Sequence, residues 1–226
     1  MNNHETVIVQ KPWGYEYLAY QNENVALWVL HIQSNEKTSM HCHPSKTTGL
    51  VIVGGKAEIN FIADKRMLCA PDKQMIRRGL FHQTQAVGGE TIMFELETPV
   101  DKDDLVRLRD NYGRTESGYE GTSFELPKDK DCLWIDTPVD DIVRSYVIGE
   151  SYIEVFNATN TSIFEKLEDD DMIVFLKGGL SKTIHGRFHM VTVPGDVGYI
   201  KVVKQVSKEM DGFAPGTIVM LVKKLR

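Results

Sequence analysis

The chain has 226 residues, 42% of them hydrophobic and 26% charged, with 26 basic against 32 acidic side chains and a formal net charge of −6. This composition excludes a disordered, collagenous or coiled-coil chain, and the acidic balance argues against a broad nucleic-acid-binding face. No run of about 18 apolar residues occurs, so no membrane-spanning helix is expected, and the first 30 residues show no apolar stretch that would predict a signal peptide. Cys42, Cys69 and Cys132 are widely spaced and form no CxxC, which reads as reduced thiols in a cytoplasmic protein.

In chain order, short alternating apolar segments at 26–32, 49–53, 57–62 and 91–96 predict strands, punctuated by Gly, Asn, Asp and Pro. The charged stretch 100–140, with Gly113, Gly118, Gly121 and Pro127, reads as a connector. Within it, 101–111 predicts a turn of helix: Leu105 and Leu108 are spaced i, i+3, and Asp103 and Arg107 form an i, i+4 pair. Strands resume at 152–156, 172–176, 190–193, 198–203 and 217–222. Many short strands at regular spacing predict an all-β fold of sandwich or barrel type. A gapless internal repeat at an offset of 124 residues supports two related barrels: Trp28 falls on Tyr152, Ile32 on Phe156, Gly54 and Gly55 on Gly178 and Gly179, Asp72 on Asp196 and Ile76 on Ile200. The expected organisation is a first barrel over 1–100, a partly helical connector over 101–140 and a second barrel over 141–226.

The strongest local signal is His41-Cys42-His43 together with His82. In an extended strand residues i and i+2 project to one face, so both imidazoles can reach one ion while Cys42 points away. Three neutral imidazoles suit a divalent transition metal: Zn first, with Fe, Mn, Ni or Cu also accommodated. Two surface histidines on a strand are the alternative. At the 124-residue offset the three histidines become Glu165, Leu167 and Val206, which predicts a second barrel without metal. His185 and His189 flank Gly186 and Arg187 and read as exposed residues of a hairpin tip. His4 lies in the terminal segment, His31 reads as packed or surface, Asp169 to Asp171 as a solvated turn, and Trp13, Trp28 and Trp134 as packing anchors.

His41-Cys42-His43 running to Gly54 and Gly55, followed by Arg77-Arg78-Gly79-Leu80-Phe81-His82, resembles the two-motif signature of the cupin barrels. Lys11-Pro12-Trp13-Gly14-Tyr15 is similar to the opening motif of the cupin domain of type II phosphomannose isomerases. Asp103 to Leu108, followed by Asp110-Asn111-Tyr112-Gly113-Arg114, is similar to its closing motif. The resemblance spans residues 11 to 114 and implies a jelly-roll double-stranded β-helix, with metal at its mouth held by two histidines and a glutamate of the first motif and a histidine of the second. Here the glutamate position carries Thr47 or Thr48, Arg77 stands for the proline of the second motif, Ala86 for a frequent asparagine, and Pro44 for a frequent basic residue.

The resemblance implies a small-molecule sugar or sugar phosphate as partner, and a mannose-6-phosphate isomerase-like reaction in which metal polarises an oxygen while a base moves a proton. Glu95 is the candidate base or replacement ligand, and Glu97 shares its face. Lys46, Arg77 and Arg78 lie inside the motifs as candidate phosphate contacts, with solvated rim charges as the other reading. Arg107 and Arg114 are either anion contacts or partners of nearby aspartates. A non-catalytic sugar-binding or regulatory cupin and a metal-dependent oxygenase are the competing functions, and exposed sheet faces predict a homodimer.

Overall fold

The computed structural model describes residues 8–116, 132–139 and 141–225. His4, Gly118, Gly121 and Pro127 lie outside the described residues. The chain divides into two compact units, one of Met1–Ile135 with Ile148–Glu150, the other of Asp136–Val147 with Ser151–Arg226.

In the first unit the strands are β1 (Ile8–Lys11), β2 (Gly14–Gln21), β3 (Ala26–Ile32), β4 (Met40–Cys42), β5 (Thr47–Gly54), β6 (Lys56–Phe61), β7 (Lys65–Cys69), β8 (Asp72–Ile76), β9 (His82–Ala86), β10 (Thr91–Thr98) and β11 (Val106–Arg109). They form a six-stranded sheet in the order β1-β2-β3-β10-β5-β8 and a five-stranded sheet in the order β11-β4-β9-β6-β7. β3 lies between β2 and β10, and its whole apolar run is buried. The core sits between the sheets: Leu18, Trp28, Leu30, Leu50, Ile52 and Met93 from the larger meet Ala57, Ile59, Leu68 and Ala86 from the smaller.

Period-two alternation then decides where polar chemistry can collect. Along one face β10 reads Met93, Glu95, Glu97; β5 reads Ile52, Leu50, Thr48; β9 reads Ala86, Thr84, His82, and all nine are buried. The interior is apolar at one end of these strands and polar at the other. Gly14 enters β2 at φ +144°, where a Cβ would stand 1.9 Å from the His31 carbonyl oxygen, so only glycine fits this crossing.

The helix expected over 101–111 is instead a turn followed by β11, which pairs with β4 through Val106 opposite Cys42 and Arg107 opposite His41. Leu105 faces the cleft described below, whereas Leu108 is 43% exposed, so the i, i+3 spacing marked no buried helix face.

In the second unit β12 (Arg144–Ile148), β13 (Ser151–Asn157), β14 (Met172–Lys177), β17 (Val197–Tyr199) and β19 (Ile218–Lys224) form one sheet in the order β12-β13-β19-β14-β17. That order matches β2-β3-β10-β5-β8, strand for strand. β15 (Leu180–Ile184), β16 (Arg187–Met190) and β18 (Gly212–Phe213) form a second sheet in the order β16-β15-β18. His185 and Gly186 make the tip between β15 and β16, as the spacing predicted. The strand expected over 190–193 ends at Met190. The strand expected over 198–203 gives way to helix α1 (Ile200–Ser207), because Ile200 and Val203, one helical turn apart, pack with Phe164, Leu167 and Phe175 into the core of this unit. The described residues are mostly β, and none of their helices is long and apolar enough to cross a membrane.

Candidate metal centre

His41 on β4 stands directly opposite His82 on β9. His43 follows one residue after β4, and Glu95 reaches the same point from β10 in the other sheet. One ligand atom from each of these four residues lies within 4.8 Å of the other three. The imidazole centroids are 4.5 Å apart for His41 and His82, 5.0 Å for His41 and His43, and 5.6 Å for His43 and His82.

Each ring is aimed by a backbone carbonyl. His41 Nδ1 donates to Ser39 O at 2.8 Å, His43 Nδ1 to Asp104 O at 2.6 Å, and His82 Nδ1 to Leu80 O at 3.0 Å. A carbonyl oxygen only accepts, so the proton sits on Nδ1 and each Nε2 keeps its lone pair. His43 Nε2 is buried without a hydrogen-bond partner, and at 3.8 Å from Glu95 Oε1 it is too far for one. Inward-facing lone pairs next to a carboxylate are a donor set that a divalent cation fits and that protons alone serve badly.

The charge states agree. Burial, then the facing His82 and His43 rings, holds His41 well below the usual imidazole range, and burial lowers His82 to about 4, so both are neutral at neutral pH. Burial works against ionisation of Glu95, but its cationic surroundings, the Lys102 ammonium among them, outweigh it and hold the carboxylate below its ordinary range.

Above this cluster opens a small cleft. Its walls carry Lys11, Lys46, Lys102, Arg107 and Arg114 with Glu16, Glu95 and Glu97. Lys46 Nζ meets Glu97 Oε1 at 2.9 Å, both side chains nearly inaccessible, while Lys102 lies 3.4 Å from both Glu16 and Glu97 and 3.8 Å from the centroid of the Trp28 ring. Arg114 is held by Asp110 through a 2.6 Å contact.

Of the residues predicted from sequence, His41, His43, His82, Glu95 and Lys46 are brought together. Arg77 and Arg78 are exposed and do not line the cleft. They flank the turn at Gly79, whose amide donates to His43 O, so their segment contributes backbone and not charge. Lys102 and Lys11 had been missed as wall residues; Lys11 sat in the opening motif, whereas Lys102 carried no signal of its own. Thr48, at the expected glutamate position, is buried on the inner face and paired across the sheet with Glu97, and the carboxylate of the cluster comes from β10 instead. Cys42 is buried, and burial raises its thiol.

Residues 1–110, or 110 of the 226, match the family model described as Mannose-6-phosphate isomerase C-terminal, a cupin-type domain. No curated protein matches the chain. Among solved structures, KdgF from Halomonas sp. is 16% identical with a TM-score of 0.39, over 41% of this chain and 86% of that one. The capsular polysaccharide assembling protein CapF from Staphylococcus aureus is 15% identical with a TM-score of 0.42, over 46% of this chain and 34% of that one. A cupin-2 domain containing protein from Shewanella frigidimarina is 16% identical with a TM-score of 0.34, over 37% of this chain and 78% of that one.

Proposed function

We propose that the first unit is a cupin barrel that holds one divalent transition metal on His41, His43, His82 and Glu95 and isomerises a phosphorylated sugar bound in the cleft above it. The second unit is then a cupin barrel without metal. The observation that carries this reading is the convergence of three imidazoles, each with Nδ1 tied to a carbonyl, on the Glu95 carboxylate. The match of residues 1–110 to the isomerase family model supports the reaction class.

A bound Zn²⁺, Fe²⁺, Mn²⁺ or Ni²⁺ would supply Lewis acidity towards a substrate oxygen. The chain supplies the rest. Arg107 and Arg114 present guanidinium groups to the cleft, and Lys11 and Lys102 add ammonium charge, a set that grips a phosphate oxyanion. Glu95, placed among the ligands, is better used as the anionic donor than as the base proposed from sequence. Glu97, two residues on along the same face and lining the cleft, is the carboxylate that takes and returns the proton between neighbouring carbons. The oxygenase alternative calls for an apolar pocket, and these charged walls do not favour it.

Elemental analysis of the purified chain beside a His41→Ala/His82→Ala variant tests the centre, and interconversion of mannose 6-phosphate and fructose 6-phosphate tests the reaction. The expected result is close to one transition metal per wild-type chain, none in the variant, and turnover only in the loaded protein. A wild type that takes up no metal on reconstitution overturns the reading, and one that binds metal and phosphate sugar without turnover leaves a binding module in its place.

A further inference from the structure

The three imidazoles are not aimed alike. His41 and His82 donate to carbonyls two residues back, Ser39 and Leu80, so each is oriented by the chain that leads into its own strand. His43 donates to Asp104, 61 residues along the chain, and that bond is the shortest of the three. The same aspartate also holds the loop that follows His43: its carboxylate accepts from Ser45 N at 2.9 and 3.1 Å and from Lys46 N at 2.8 Å. These bonds hold the Asp104 carboxylate below the usual range against the effect of burial. Main chain and side chain of one residue thus grip both the ligand and its loop.

We propose that Asp104 is a positioning residue of the metal centre, and that the arm carrying it, residues 102–114, docks cooperatively with metal uptake. The inference rests on the metal-centre reading above. The arm is anchored on both sides of Asp104: Lys102 reaches Glu16 and Glu97, β11 pairs with β4, and the Tyr112 hydroxyl donates to Glu36. It also carries Lys102, Leu105, Arg107 and Arg114 to the cleft wall. An ion that takes His43 Nε2 fixes the ring, which fixes the Nδ1 hydrogen and so favours the docked Asp104 carbonyl. By reciprocity a docked arm presents a better-aimed His43 to the ion. The wall that would grip an anionic substrate is therefore assembled by the same event that loads the metal.

The test is Co²⁺ titration of the full chain, read as affinity and as the visible Co²⁺ spectrum, with tryptic cleavage within 102–114 followed with and without Co²⁺. Asp104→Ala keeps the carbonyl that orients His43 but releases the Ser45 and Lys46 amides and with them the loop behind the ligand, and is expected to weaken Co²⁺ by about tenfold and change the spectrum. Asp104→Asn, which keeps an acceptor oxygen for one of the two amides, recovers part of the affinity, and the exposed neighbour Asp103→Ala leaves it unchanged. In the wild type Co²⁺ slows cleavage after Arg107 and Arg109 by about tenfold or more, a readout that needs no variant to fold. Wild-type affinity and spectrum in Asp104→Ala, or cleavage at one rate with and without bound Co²⁺, overturns the inference alone. A wild type that binds no Co²⁺ overturns the metal-centre reading and this inference with it.

Discussion

Lys46 and Glu97 form a buried ion pair whose side chains are 1% and 2% exposed, with Nζ and Oε1 2.9 Å apart. At an effective dielectric of about 20 that contact carries about 6 kcal/mol of gross attraction, and the 3.4 Å contact of Glu97 with Lys102 about 5. Lys46→Met removes the first, leaves the second, and relieves the chain of desolvating one ammonium. Removing one partner of a buried pair costs about 3–5 kcal/mol, and the surviving Lys102 contact places this substitution near about 3. Glu97→Gln strands the Lys46 ammonium and should cost a similar amount, whereas Lys46→Met/Glu97→Gln should return to within about 2 kcal/mol of wild type. The assay is urea unfolding in chelator, read by tryptophan emission. Trp13, Trp28 and Trp134 all belong to the first unit, so the signal isolates its transition from that of the second. Additive losses in the double variant would show that the two side chains are uncoupled, and the buried-pair argument would fall.

Two further perturbations test the centre and its frame. Between the unfolded imidazole value of 6.5 and the folded His82 value of about 4, the unfolded chain binds more protons than the folded one. The metal-free first unit therefore loses stability as pH falls through that window, with His41, also lowered, adding to the slope; urea midpoints that stay level from pH 7 to pH 4.5 would refute it. Gly14→Ala puts a Cβ against the His31 carbonyl at a φ that L-residues rarely adopt, and should cost about 3 kcal/mol or more, so a melting temperature equal to wild type would sink the account.

The long apolar strands of the first unit, β3, β5, β6 and β10, were legible because their buried residues follow the period of a strand, whereas the shorter and more polar strands around them carried no such signal. The inward set of the centre was legible for the same reason: His41 and His43 share a parity, and Glu95 and Glu97 share another. What could not be read was pairing. Leu105 and Leu108 fit a helix in isolation, yet residues 106–109 form a strand because the edge of β4 offers backbone partners, a choice made by residues 64 to 69 positions away. Lys102 entered the site through the same event. Arg77 and Arg78 were misplaced because a motif locates a segment and not the direction of its side chains, and around a turn at positive φ that direction has no simple period.

At the positions that match the three histidines, the second unit differs from the first in backbone as well as in side chains. Its larger sheet repeats the order of the first, but among the described residues its smaller sheet is β16-β15-β18, corresponding to β7-β6-β9, with no strand in the place of β4. Where β4 would run, Thr161–Lys166 forms a 3₁₀ turn with Asn160 accepting from Ser162 N as its cap. Where the turn before β9 would run, α1 takes over. The positions equivalent to His41, His43 and His82 are then an exposed Glu165, a buried Leu167 and a half-buried Val206, and Phe164, Ile200 and Val203 close the interior beside them. A ligand pair spaced i, i+2 needs an extended chain to share one face; on a 3₁₀ turn two such residues point about 120° apart. The backbone therefore separates the two units at these positions at least as much as the side chains do, and Phe164, Ile200 and Val203 pack there into an apolar interior.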